Sequence, residues 1–209
     1  MRTRLATITT AAATGIAVVF LAGCSAPSAG ESASGESEAV FMSADYPAYD
    51  TLEDAAEEAA LIVTGEYVSS ETELLYPTLE EGDDPESNPQ QGVAEEDIDL
   101  DELAVVTTVS QLRVTEVIKG DVQVGDIIEV SQLGGAYDDV EYNEENTTLL
   151  EDIDAEVVLF LNPAEENRFN LINPEQGLYT MEDGTVEPVD DEEGFAEIAT
   201  IEDIREVIE

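Results

Sequence analysis

From residue 50 onward the apolar positions of the chain change period repeatedly, and each change marks an element. Apolar residues in Asp50–Ala59 recur at helical spacing, with Leu52, Ala55, Ala56 and Ala59 on one face. Asp50 or Thr51 caps the start, and acids crowd the first turn, where the helix dipole favours them. Period two takes over at Leu61–Val68. Leu61, Val63, Gly65 and Tyr67 share one side of this strand. Gly65 removes a side chain where a strongly bent strand needs room. The strand can run on to Tyr76.

Residues 69–103 carry the weakest pattern, and Glu80–Gly92 has the composition of disorder or a long loop. Alternation returns at Ala104. Val105, Thr107 and Val109 share one parity, then Leu112, Val114 and Ile118 take the other. That switch predicts a β-bulge inside one long strand. Lys119-Gly120-Asp121 is a turn, Ile127–Leu133 the next strand, and Gly134-Gly135 closes it. Val157–Leu161 is continuously apolar, which predicts burial on both faces. Arg168–Ile172 and Leu178–Met181 are short strands, and Asp183-Gly184 turns into Val186–Val189. Thr200 caps a last helix with Ile201, Ile204, Val207 and Ile208 on its apolar face. Short strands with a helix at each end predict a mainly β protein, a small closed or nearly closed barrel.

The first residues have another character. Arg2 and Arg4 precede a small and apolar stretch from Leu5 to Leu21, which ends in Leu21-Ala22-Gly23-Cys24. Basic start and apolar middle have the form of a secretory signal. The end resembles the lipobox of bacterial lipoproteins, in which the cysteine receives a diacylglyceryl group and becomes the mature N-terminus. The resemblance implies a signal peptide at 1–23 and a lipidated Cys24 on the extracytoplasmic face of the cell membrane. Two acyl chains suffice for stable anchoring. Residues 24–44 then read as the lipidated cysteine and a flexible tether. Residues 45–209 read as a single domain with an acidic loop at about 77–103.

Charge narrows the partners. The chain holds 51 Asp and Glu against 6 Lys and Arg. Without Arg2 and Arg4 the mature chain would carry a formal charge of −47. Such a polyanion repels nucleic acid and anionic headgroups, so membrane contact is expected through the lipid on Cys24. The lone Cys excludes an internal disulfide. With no His in the chain, Ser-His-Asp and Cys-His catalysis and any Cys/His zinc site are excluded.

Val63-Thr64-Gly65-Glu66-Tyr67-Val68, Val114–Asp121, Gly134-Gly135, Val158-Leu159-Phe160-Leu161 and Gln176-Gly177-Leu178-Tyr179 together resemble a loosely defined group of bacterial exported proteins. The layout is similar to an OB-like β-barrel, as in tissue inhibitors of metalloproteinases. Those inhibitors chelate a protease's zinc through a free N-terminal cysteine and contain disulfides. Here that cysteine is expected to be lipidated and no other exists, so inhibition by that route is not implied.

Candidate sites are few. Asp97, Asp99 and Asp101 have the opening spacing of a calcium loop, but Glu102 stands where Gly is wanted and Thr108 where Glu is wanted. Paired carboxylates carry no information in a chain this acidic, and the chain has no Trp for sugar stacking. Asn146-Thr147-Thr148 matches a glycosylation sequon. Lys119 is expected to balance Glu116 and Asp121 locally, and Arg113 is the other basic residue considered as an anion site. No catalytic, cofactor-binding or metal residue is assigned. The expectation is a membrane-anchored, non-enzymatic interaction or accessory module. The alternative is a cation- or small-ligand-binding surface module.

Overall fold

The computed structural model describes residues 38–77 and 98–208. Cys24, the segment expected to be a signal peptide, most of the expected tether and the acidic segment 78–97 lie outside them. Strand β1 (Glu38–Met42) comes first, then helix α1 (Leu52–Glu58) and the long β2 (Leu61–Leu75). A single helical turn, α2 (Leu100–Leu103), leads into the equally long β3 (Val105–Lys119) and then β4 (Ile127–Leu133). Short β5 (Gly135–Tyr137) and β6 (Val140–Glu144) form a hairpin before a 3-10 turn at Leu150–Asp152. β7 (Glu156–Glu165), β8 (Arg168–Leu171), β9 (Leu178–Glu182), β10 (Thr185–Pro188) and helix α3 (Ile201–Ile208) complete the chain.

The pairings run round a ring. β7 pairs with β2, β2 with β3 and β3 with β4, all antiparallel. β4 then pairs with β8 in parallel, and β8 returns to β7. One parallel contact in an otherwise antiparallel ring of five strands is the expected OB-like arrangement. β9 and β10 extend it from the free end of β7.

Two apolar clusters follow from strand alternation. Leu61, Val63, Leu112, Val114, Ile128, Val130, Val157, Leu159 and Leu161 fill the ring, with Leu150 of the 3-10 turn packed among them. Ile62, Val158 and Phe160 point outward and are covered by α1, α3 and the Phe195–Ile198 segment. β7 is therefore buried on both faces, as its unbroken apolar run predicts. Gly65 lies close against Leu112 and Arg113 of β3. A Cβ there would lie 2.5 Å from Leu112 Cδ2 and 2.9 Å from the Arg113 carbonyl oxygen, so the bend depends on the absent side chain.

The helix ends match their sequence signals. Thr51 Oγ1 accepts from the Asp54 amide at 3.1 Å. Asp203 accepts from the Ala199 and Thr200 amides and the Thr200 hydroxyl. Those donors lower its pKa. Lys119 differs from its expected role. It ends β3 and donates to the Ala56 and Glu57 carbonyls at 2.8 and 3.0 Å, capping the C-terminus of α1, where the helix dipole favours a cation. Glu116 pairs with Arg205 of α3 instead.

Three further differences are informative. Residues 38–42, assigned to the tether, form a strand in parallel register with β6. The bulge is not at the parity switch of β3, because Thr107–Arg113 pair with β4 without interruption. Register shifts fall instead at Val68 of β2 and near the other end of β3. Both faces of the first half of β3 are buried, and the outward face lines the site described below. Finally, the Asp138-Asp139 turn of the β5–β6 hairpin takes positive φ without a glycine, which hid that hairpin from the sequence pattern.

Tyr179 anchors the outer layer. Its hydroxyl donates to the Gln176 carbonyl and accepts from the Phe195 amide. Burial raises its pKa. Below the unfolded pKa, about 10, this contribution is complete. Above it the unfolded chain ionises first, and stability should fall by up to about 1.4 kcal/mol per pH unit from this group. Tyr179→Phe should cost about 1–3 kcal/mol at neutral pH and flatten that alkaline slope. Urea melts of both chains at pH 8 to 11 check this, and unchanged slopes would contradict it.

Candidate functional site

The outward face of β2, β3, β4 and β8 forms a curved cleft. Its wall follows from the register: Glu73 opposes Thr107, Thr107 opposes Leu133, Gln111 opposes Glu129, and Glu129 opposes Arg168. Arg168 bridges the cleft. Its guanidinium reaches Glu129 at 3.0 Å and Glu73, three strands away, at 2.6 Å. Partial burial pulls the Arg168 pKa down, and the two carboxylates more than offset that, so the net shift is upward.

Two residues further along each strand lies a cavity of about 310 Å³. Leu75, Leu133, Ile172 and Pro47 supply apolar wall, and Thr107, Ser131 and Asn170 supply uncharged polar groups. On the other side of Arg168 is a smaller hollow of about 130 Å³, lined by Glu71, Glu73, Glu129 and Arg168 among others. The ion-paired Arg168 thus divides an uncharged recess from an acidic one.

Thr107 is 2% exposed, and its hydroxyl has no hydrogen-bond partner among the described residues. Its neighbour Thr108, on the opposite face of β3, donates to the Gly134 carbonyl at 2.7 Å. Ser110 Oγ is also unpartnered, but it alternates to the inner face with Thr108.

A segment following β1 closes the cavity through Tyr46 and Pro47. Side chains of β6 and of the β8–β9 connection hold this strap by its backbone. Buried Glu144 accepts from the Ala44 amide at 3.2 Å, the Asn146 amide at 3.0 Å and the Thr147 hydroxyl at 2.8 Å. Asn173 donates to the Pro47 carbonyl at 2.9 Å. Gln176 both accepts from and donates to the Tyr49 backbone. Burial, ahead of the Glu144 charge, raises the Tyr46 pKa, despite the lowering effect of a hydrogen bond with Thr147.

The residues singled out from sequence do not build this site. Asp99 caps α2 through the Asp101 amide at 3.1 Å, and Asp97 is outside the described residues. Among the described residues, no cluster of three or more Asp, Glu, His or Cys could hold a metal ion. Arg113 is exposed on the outer face of β3, two residues beyond Gln111. Thr147, from the sequon, lines the cavity and bonds Glu144. Thr107, Glu144, Arg168, Asn173 and Gln176 were not foreseen as site residues. The one available signal was the parity switch at Val105–Leu112, which marks a strand buried on both faces.

No protein-family model matches the chain. A search of curated proteins likewise finds no match. No helix among the described residues is long and apolar enough to cross a membrane.

Proposed function

We propose that the chain is a bacterial exported lipoprotein, cut before Cys24 and held by lipid on that residue at the extracytoplasmic face of the cell membrane. Its OB-like domain serves there as a non-enzymatic interaction or accessory module. The lipobox-like Leu21-Ala22-Gly23-Cys24 supports the anchor. The recessed cleft on the β3–β4 face supports the module, because OB-type barrels commonly bind ligands on the equivalent face. That likeness of fold is an analogy. The strong negative charge disfavours the nucleic acids that many such barrels bind.

Of the alternatives, the cavity favours a small-ligand module over a cation-binding one. Among the described residues its lining includes no carboxylate, whereas calcium takes six to eight oxygen ligands, commonly carboxylates. Calcium and magnesium at matched ionic strength should therefore raise the melting temperature equally, by screening alone. A calcium-specific rise, abolished by Asp97→Asn with Asp99→Asn, would restore the cation reading.

The anchor is tested by Cys24→Ser in the full-length chain. The substituted protein should take up no radiolabelled palmitate and should leave the membrane fraction. Continued labelling would contradict the assignment.

A further inference from the structure

In a chain with 51 acidic residues, no charged residue lines the larger cavity among the described residues. Glu175, next to the lining residue Pro174, acts on Tyr46 from outside the wall, and two other charges in the region are engaged. Glu144, behind Tyr46 and Thr147, accepts its three hydrogen bonds, and Arg168 is paired with Glu73 and Glu129. Ser131 and Asn170 add uncharged polar groups to the wall.

We propose that this cavity binds a small uncharged molecule with an apolar body and a hydrogen-bonding group for the uncharged polar wall of Ser131 and Asn170. The inference rests on the small-ligand reading given above and names its ligand class. Apolar wall from Leu75, Leu133, Ile172 and Pro47 suits an apolar body. An anion would be stripped of water with no cation facing it, inside a field of the same sign. A cation would find no carboxylate in the wall to replace its hydration. The volume, about 310 Å³, lies at the lower end of small-molecule sites and equals the liquid volume of about ten waters.

The test uses the full-length chain in a fixed amount of mild detergent, with detergent alone as the blank. Two fluorescent probes share one ring system: neutral phenylnaphthylamine and its anionic analogue anilinonaphthalenesulfonate. The neutral probe should saturate above the blank, and the sulfonated one should bind about tenfold more weakly or worse. Leu75→Glu, at a half-exposed position, should weaken the neutral probe by about tenfold. Asn170→Trp, at an exposed position on the wall, should block it sterically and serves if Leu75→Glu does not fold. Signal no greater than the blank, equal affinity for both probes, or binding indifferent to the folded wall variants would overturn the proposal. Palmitate labelling at Cys24 is independent of all these variants, so failure of the cavity and failure of the anchor are separate results.

Discussion

Phe160→Ala should lower the stability of the domain by about 3–5 kcal/mol. Phe160 is fully buried at the centre of β7, on the side covered by α1 and α3. Its ring lies 5.8 Å from that of Tyr179, tilted by 52°, a geometry that adds to simple area burial. Neither neighbour can collapse into the space. β7 is held by β2 on one edge and by β8 and β9 on the other, and the helices are pinned by Lys119 and Arg205. Because domains of this size are stable by only about 5–15 kcal/mol, much of the total would be lost. The urea midpoint should fall with an unchanged slope. A loss under about 1 kcal/mol would mean that the outer layer does not seal β7.

Glu144→Ala should have the next largest effect, about 2–4 kcal/mol, and a more local one. Hydrogen bonds to a charged acceptor contribute about 1.5–3 kcal/mol each and do not add fully. Here one 5%-exposed carboxylate serves donors from the strap and from the turn after β6. Its removal leaves two amides and a hydroxyl without that acceptor. The strap should open while the ring persists. Hydrogen exchange should accelerate at Ala44–Tyr49 and in β1, with protection in β7 nearly unchanged. Tyr46 and Pro47 form one wall of the cavity, so the neutral probe should also bind more weakly. Uniform acceleration through the barrel would instead make Glu144 a global core residue.

Much of the fold was legible because its elements obey one period each. α1 and α3 show helical spacing with cap residues at Thr51 and Thr200. Val157–Leu161 announces a strand buried on two sides, and Ile127–Leu133 alternates along its whole length. Legibility failed where tertiary contact replaced period. β1 lies in a stretch that begins with small, polar residues, and its pairing with β6 was not signalled locally. The β5–β6 hairpin turns on two aspartates rather than on glycine. The parity switch in β3 was a real signal with the wrong expected cause. Val105, Thr107 and Val109 face the cleft, while Thr108, Ser110 and Leu112 face the interior, so no bulge is needed between them.

The site was less legible than the fold for a physical reason. In a sequence this acidic, carboxylates attract attention, and the cavity wall is assembled from residues that carry no charge. Leu75, Thr107, Leu133 and Asn170 come from four strands, and only the pairing of those strands brings them together. The strap is fixed by side chains reaching backbone groups about 100 or more residues away in the chain, as with Glu144 to Ala44 and Asn173 to Pro47. Neither kind of contact leaves a periodic trace. Basic residues misled for the converse reason. Lys119 lies beside acids in sequence, yet its ammonium serves the carbonyls of α1.

The most direct measurement is of contacts between bound phenylnaphthylamine and assigned methyl groups, by nuclear Overhauser spectroscopy on the full-length chain. Contacts to the methyls of Leu75, Leu133, Ile172 and Thr107 are the predicted result. Contacts confined to exposed apolar residues such as Phe41 and Val124, with none to those four, would contradict the assignment of the cavity as the binding site.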